Sequence, residues 1–123
     1  MSHIRPKNLN FFTIHFPIPA IVSILHRISG VVLFFLIPFI LWGLALSLTS
    51  DGFDLFQAWA GLFYVKLIVW LLLIPFCYHF VAGIRHLLMD VHIGVSLRMG
   101  RLFAMLTFAV VIFLLFLLGI WLW

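Results

Sequence analysis

The chain has 123 residues, 67% of them hydrophobic and only 8% charged, with a mean hydropathy of +1.34. A soluble chain of this size would lack the polar side chains to cover its own surface, so the composition describes an integral membrane protein. The net charge of +4 arises from seven cations scattered at the ends of apolar runs rather than gathered in a patch, which speaks against nucleic acid as a partner and for membrane orientation.

The first apolar run begins only after about twenty residues, which include Pro6, Pro17 and Pro19, with no small-residue cleavage site behind it. The N-terminus is therefore expected to stay on. Three runs are long enough to cross a bilayer: 30–48 and 102–123, which carry no charge, and 67–84, which continues helically toward Asp90. A crossing helix needs roughly twenty residues, and with flanking turns the predicted spans are approximately 22–49, 64–90 and 101–123. The expected fold is all-α, one transmembrane domain of three helices over residues 1–123. Between the first two spans lies a polar turn, Thr49 to Asp54, with room for a short surface helix to Gly61. Between the last two, a short polar loop is expected from Gly94 to Gly100. Cys77, between Phe76 and Tyr78 within the second span, excludes an intramolecular disulfide and reads as an inert, small apolar residue.

Cations give the orientation. Arg5, Lys7 and Arg27 precede the first span, and Arg85, Arg98 and Arg101 flank the second loop, so both segments are expected in the cytoplasm. The first loop carries Asp51 and Asp54 with only Lys66, and the chain ends on Trp121-Leu122-Trp123 with no cation. The C-terminus is therefore placed outside. Three short helices make a poor autonomous bundle, and partner helices are expected.

Along the second span His79 demands an explanation. An imidazole in hydrocarbon loses its bonds to water at a cost of roughly a few kcal/mol, so another polar side chain, a proton path or a metal must satisfy it. His79 and His86, seven apart, fall on one helix face with Gly83 between them. A glycine one turn below a histidine leaves a flat notch such as a planar macrocycle requires, although glycine also serves close helix packing. Pro75, four residues before His79, removes a backbone bond and bends the helix. His3, His15 and His92 fall outside the spans and read as solvated or interfacial. His86, near the cytoplasmic end beside Arg85 and one turn before Asp90, is in reach of water.

The second polar group is Ser23-Ile24-Leu25-His26-Arg27-Ile28-Ser29-Gly30, at the entrance of the first span. In a helix, Ser23 and Arg27 share one face with His26 adjoining. A hydroxyl and a guanidinium at the membrane edge suit a carbonyl oxygen or a carboxylate, while Arg27 alone would serve as a positive anchor reaching the headgroups. His79, eleven residues before Asp90, lies about 16 Å from that end at helical rise. Both groups are thus expected in the cytoplasmic half of the bilayer, as electron-transfer neighbours.

These residues, with Arg5-Pro6, Asn8-Leu9, Phe16-Pro17-Ile18, Tyr78-His79, Gly83-Ile84-Arg85-His86 and Asp90, resemble the cytochrome b membrane-anchor subunit of succinate dehydrogenase, respiratory complex II, over nearly the whole chain. The resemblance is closest to the bacterial form, in which two small membrane subunits share one haem. It implies that His79 is an axial ligand of haem b, the opposite ligand coming from the second anchor subunit. It further implies that Ser23 and Arg27 line a ubiquinone site with Ile24 as an apolar wall, and that His26 and Arg27, with His86 a weaker candidate, meet the haem propionates. Iron–sulfur and flavoprotein subunits are the implied partners, in a bacterial inner membrane, and succinate oxidation belongs to those other subunits. Chemistry agrees, because two neutral imidazoles saturate haem iron for electron transfer, and this chain has one histidine at that depth. Two further readings stay open. One is a cytochrome b anchor of a hydrogenase or formate dehydrogenase; the other is a transporter or purely structural subunit with His79 in a proton path.

Overall fold

The computed structural model describes residues 16–123. Among these the regular structure is helical: α1 (Ile18–Ser47), α2 (Ser50–Ala60), α3 (Phe63–Asp90) and α4 (Leu97–Leu122). The three long helices have 30, 28 and 26 residues and are apolar enough to cross a membrane. Three long apolar helices are therefore present, as expected, and their ends lie a few residues from the expected bounds. Arg5, Lys7, His3 and His15 lie outside the described residues.

Local chemistry explains where the helices begin and end. Pro17 caps α1 and Pro19 stands in its first turn, where the missing N–H of proline is one that the helix leaves unpaired in any case. Pro38 in α1 and Pro75 in α3 lie inside helices, which membrane bundles tolerate because neighbouring groups satisfy the freed carbonyls. At α2, the Thr49 hydroxyl oxygen accepts from the Gly52 amide at 3.2 Å, and Asp51 lies in the first turn, where the helix dipole favours it. The polar stretch after Thr49 is thus the start of a helix, not a turn preceding one.

The connection from α3 to α4 is shorter than expected. The Ile93 amide donates to the Leu88 carbonyl at 2.9 Å and the His92 amide to Met89 at 3.0 Å, the double closure of a Schellman cap. His92 takes the left-handed position at φ 64, and Gly94 follows at φ 77. Ser96 then caps α4 by accepting from the Met99 amide at 3.3 Å. Gly100, expected in the loop, is a buried residue within α4, because the Ser96 cap starts that helix one turn earlier.

The core gathers Val22 of α1, Cys77, Tyr78 and Ala82 of α3, and Ala104 and Val111 of α4. Ala82 and Ala104 are both 0% exposed, small residues that let helices approach closely where lipid gives no hydrophobic drive. Cys77 is a free, buried thiol. At one end of the bundle the Lys66 ammonium donates to the Leu122 carbonyl at 2.9 Å, and the Trp70 indole N–H to the Leu115 carbonyl at 3.1 Å. At the other end, Pro17 and Pro19 line one cleft with Arg98 and Arg101. The start of α1 and the α3–α4 connection therefore share an end, and α2 and the C-terminus share the opposite one.

Two cations stand elsewhere than the charge pattern implied. Arg27 lies within α1 rather than ahead of it. Arg85 is 4% exposed, and among the described residues its Nε has no hydrogen-bond partner. It is packed among helices, where Tyr78 and Arg85, seven apart, share the inner face of α3, and it does not flank the loop. The chain's own helices cover little of one another: 6% of the most apolar stretch of α1 is buried and 17% of those of α3 and α4. The remainder meets lipid or other helices.

Candidate functional site

His79 projects from α3 onto α1. Its Nδ1 lies 3.1 Å from the His26 backbone carbonyl and 3.1 Å from the Ser29 hydroxyl. A carbonyl can only accept, so in the neutral ring the proton resides on Nδ1 and Nε2 keeps its lone pair. Ser29 is 5% exposed and donates its own proton to the same His26 carbonyl at 2.8 Å, which leaves its oxygen to share the Nδ1 proton. This is how metal-binding histidines are commonly held, one nitrogen tied to a carbonyl and the other free.

The approach of α1 depends on Gly30. A methyl group there would stand 3.0 Å from the His79 Cε1 and 3.4 Å from its Nδ1, closer than side chains normally pack. Beside His79 the ring of His26 stacks at a centroid distance of 4.2 Å with planes 13° apart, and His86 lies against His26 at 4.9 Å with a 45° tilt. Gly83 also makes room, but a methyl group there would meet Nε2 of His26 at 3.4 Å. The notch expected beside His79 thus receives the neighbouring helix's imidazole. One residue before His79, the Tyr78 hydroxyl donates to the Val22 carbonyl at 3.0 Å, bracing the same two helices.

Three of the sequence-derived candidates, His79, His26 and His86, are therefore brought into one stack. Ser23 and Arg27 stand on the adjoining face of α1, roughly 60–100° around the helix from His26 at 3.6 residues per turn, and Ile24 lies further round, at roughly 160°. Ser23 is half-buried, Arg27 exposed and Ile24 42% exposed. Among the described residues, no hydrogen bond uses the side chain of Ser23 or Arg27. His26 lies eight residues into α1, about 12 Å from its start, a depth compatible with that of His79 from the end of α3. The rings stack rather than converge: among the described residues, no group of three or more His, Cys, Asp or Glu could hold a metal ion by itself.

Ser29 and Gly30 contribute to the site although nothing in the sequence of residues 23–30 marks them out. Val22, His26 and Ser29 recur at helical spacing, which marks a common face. The sequence alone does not say that this face meets α3.

Residues 1–118 match the family described as succinate dehydrogenase/fumarate reductase transmembrane subunit. The succinate dehydrogenase cytochrome b556 subunit of Coxiella burnetii is 39% identical over the full length of both chains. That of Rickettsia typhi is 37% identical, covering 70% of this chain and 68% of its own. The Paracoccus denitrificans counterpart is 30% identical over 79% of this chain and 75% of its own.

Proposed function

Because the chain belongs to the succinate dehydrogenase/fumarate reductase transmembrane subunit family, as a multi-pass cytochrome b subunit, we propose that it holds half of a haem b site and half of a quinone site. The observation that carries this reading is the state of His79, with Nδ1 bonded to the His26 carbonyl and Nε2 left as the donor nitrogen. One such nitrogen fits one axial position. The second is assigned to a histidine of the other small membrane-anchor subunit, for which the largely uncovered faces of α1, α3 and α4 leave room. Bound there, haem b supplies a one-electron relay within the membrane.

His26, stacked beside His79, and Arg27 are assigned to the haem propionates, with His86, which lies against His26, as a weaker candidate. Ser23 is assigned to donate a hydrogen bond to a ubiquinone carbonyl, Arg27 to favour the negative charge that builds on that oxygen during reduction, and Ile24 to form an apolar wall. Electrons are proposed to arrive from an iron–sulfur subunit, and succinate oxidation to reside in the flavoprotein subunit. The end carrying exposed Arg98 and Arg101 is assigned to the cytoplasm, which puts the C-terminus outside a bacterial inner membrane.

The test is His79→Leu in the assembled complex. Loss of the haem absorbance in the reduced-minus-oxidised spectrum is expected, with the soluble subunits' dye-linked succinate oxidation retained. An unchanged spectrum in that variant would sink the assignment.

A further inference from the structure

We infer that Ser29 is a positioning residue for the His79 imidazole, orienting its Nε2 and setting how strongly that nitrogen donates; the inference rests on the haem reading above. The geometry has three parts. Ser29 is buried at 5% exposure, its hydroxyl is oriented by donation to the His26 carbonyl at 2.8 Å, and its oxygen stands 3.1 Å from the His79 Nδ1. An imidazole tied at one point can still swing about its side-chain bonds. Two acceptors converging on Nδ1–H from adjacent turns of α1 restrict the ring to one plane, and Gly30 lets α1 come close enough for both to reach.

The two acceptors differ in one respect. The His26 carbonyl is backbone and survives any ordinary substitution at that position, whereas the Ser29 hydroxyl is a choice of side chain. It is therefore the group through which this sequence adjusts the ring. An acceptor on Nδ1–H increases electron density at Nε2, and a stronger donor nitrogen favours the more highly charged state of a metal bound there. Removing the hydroxyl should weaken that preference. The competing explanation is that Ser29 only satisfies its own helix carbonyl three residues back, as serines in helices often do, with no effect on His79.

The experiment uses the purified complex with Ser29→Ala and Ser29→Thr, the latter keeping a hydroxyl. Haem content is read by pyridine haemochrome, the haem potential by redox titration, and ring orientation by the electron paramagnetic resonance of the oxidised protein. For Ser29→Ala the expected result is retained haem, an altered resonance and a reduced-to-oxidised ratio raised on the order of tenfold at fixed ambient potential, about 59 mV for a one-electron couple. Ser29→Thr should restore the potential of the unsubstituted protein. Haem loss from Ser29→Ala with retention in Ser29→Thr would also support the role. Unchanged potential and resonance in Ser29→Ala, equal shifts in both variants, or loss of the assembled complex from both would overturn it while leaving haem binding by the unsubstituted protein intact. Absence of haem from the unsubstituted complex would instead remove the reading on which it rests.

Discussion

The imidazoles of His26 and His79 lie 4.2 Å apart, centre to centre, with planes within 13° of parallel, while the backbone carbonyl of His26 holds the Nδ1 of His79. One residue of α1 thus supports the α3 histidine twice, through its ring and through its main chain. The two supports respond differently to mutation.

Replacing His26 with Leu removes the ring but keeps the carbonyl, and Ser29 keeps its hydroxyl. The loss of the stacked pair should cost about 0.5–1.5 kcal/mol, read as a lower midpoint for thermal dissociation of the complex. Under the proposed function, haem content should stay near that of the unsubstituted protein, with a shifted potential because a polar ring beside the site is gone. Haem loss as complete as in His79→Leu would show that the ring of His26 is itself a ligand.

Arg27 is exposed on the face of α1 next to the stack, so its removal leaves no buried charge unpaired and should spare the fold. Arg27→Leu is expected to lower quinone reductase activity by roughly 100- to 1000-fold, the scale of losing an electrostatic group at a developing anion. Dye-linked succinate oxidation should persist. Parallel losses in both assays would indicate failed assembly instead.

The three spans were legible because a membrane helix is specified by length and apolarity alone, which residues 30–48, 67–84 and 102–123 display directly. His79 was legible for the complementary reason, being polar where nothing else is. The helix boundaries were less so. Thr49 and Ser96 act as caps through side-chain oxygens, and a cap turns residues that look like loop into a first turn. Arg85 is not legible because a cation near a span's end normally seeks water, and only packing reveals that it is 4% exposed, beside Phe103, Leu106 and Thr107 of α4. Ser29 carries no signal of its own: its meaning depends on which face of α1 meets α3, a tertiary relation that periodicity in one helix does not contain.

The turn after α3 offers two substitutions of opposite sign. His92 occupies the left-handed position of the Schellman cap at φ 64, where a side chain costs about 1–2 kcal/mol relative to glycine. His92→Gly should therefore raise thermal stability by up to about 1 kcal/mol once the entropy lost by a freer unfolded chain is deducted. Gly94, at φ 77, already has no side chain, and a methyl group there would run into the ring of Phe103. Gly94→Ala should lower stability by about 1–2 kcal/mol from backbone strain alone, with more from the clash. Equal effects of the two substitutions on the melting midpoint would contradict this geometry.

Ala82 on α3 and Ala104 on α4 are both 0% exposed within the shared core, where size decides how near the helices stand. A leucine at either position adds three carbons with no space to receive them, at a cost of about 1–3 kcal/mol. Ala82→Leu carries a second consequence because it lies one turn after Tyr78, whose hydroxyl reaches the Val22 carbonyl of α1 at 3.0 Å. Forcing α3 outward at that level should strain the Tyr78 bond and loosen the α1–α3 contact that holds His79. Ala104→Leu presses from α4 and has no such link to the histidine stack. Both variants should dissociate at lower temperature, but only Ala82→Leu should also alter the haem spectrum of the assembled complex. A spectrum disturbed equally by Ala104→Leu would mean that the core transmits strain to His79 from every side.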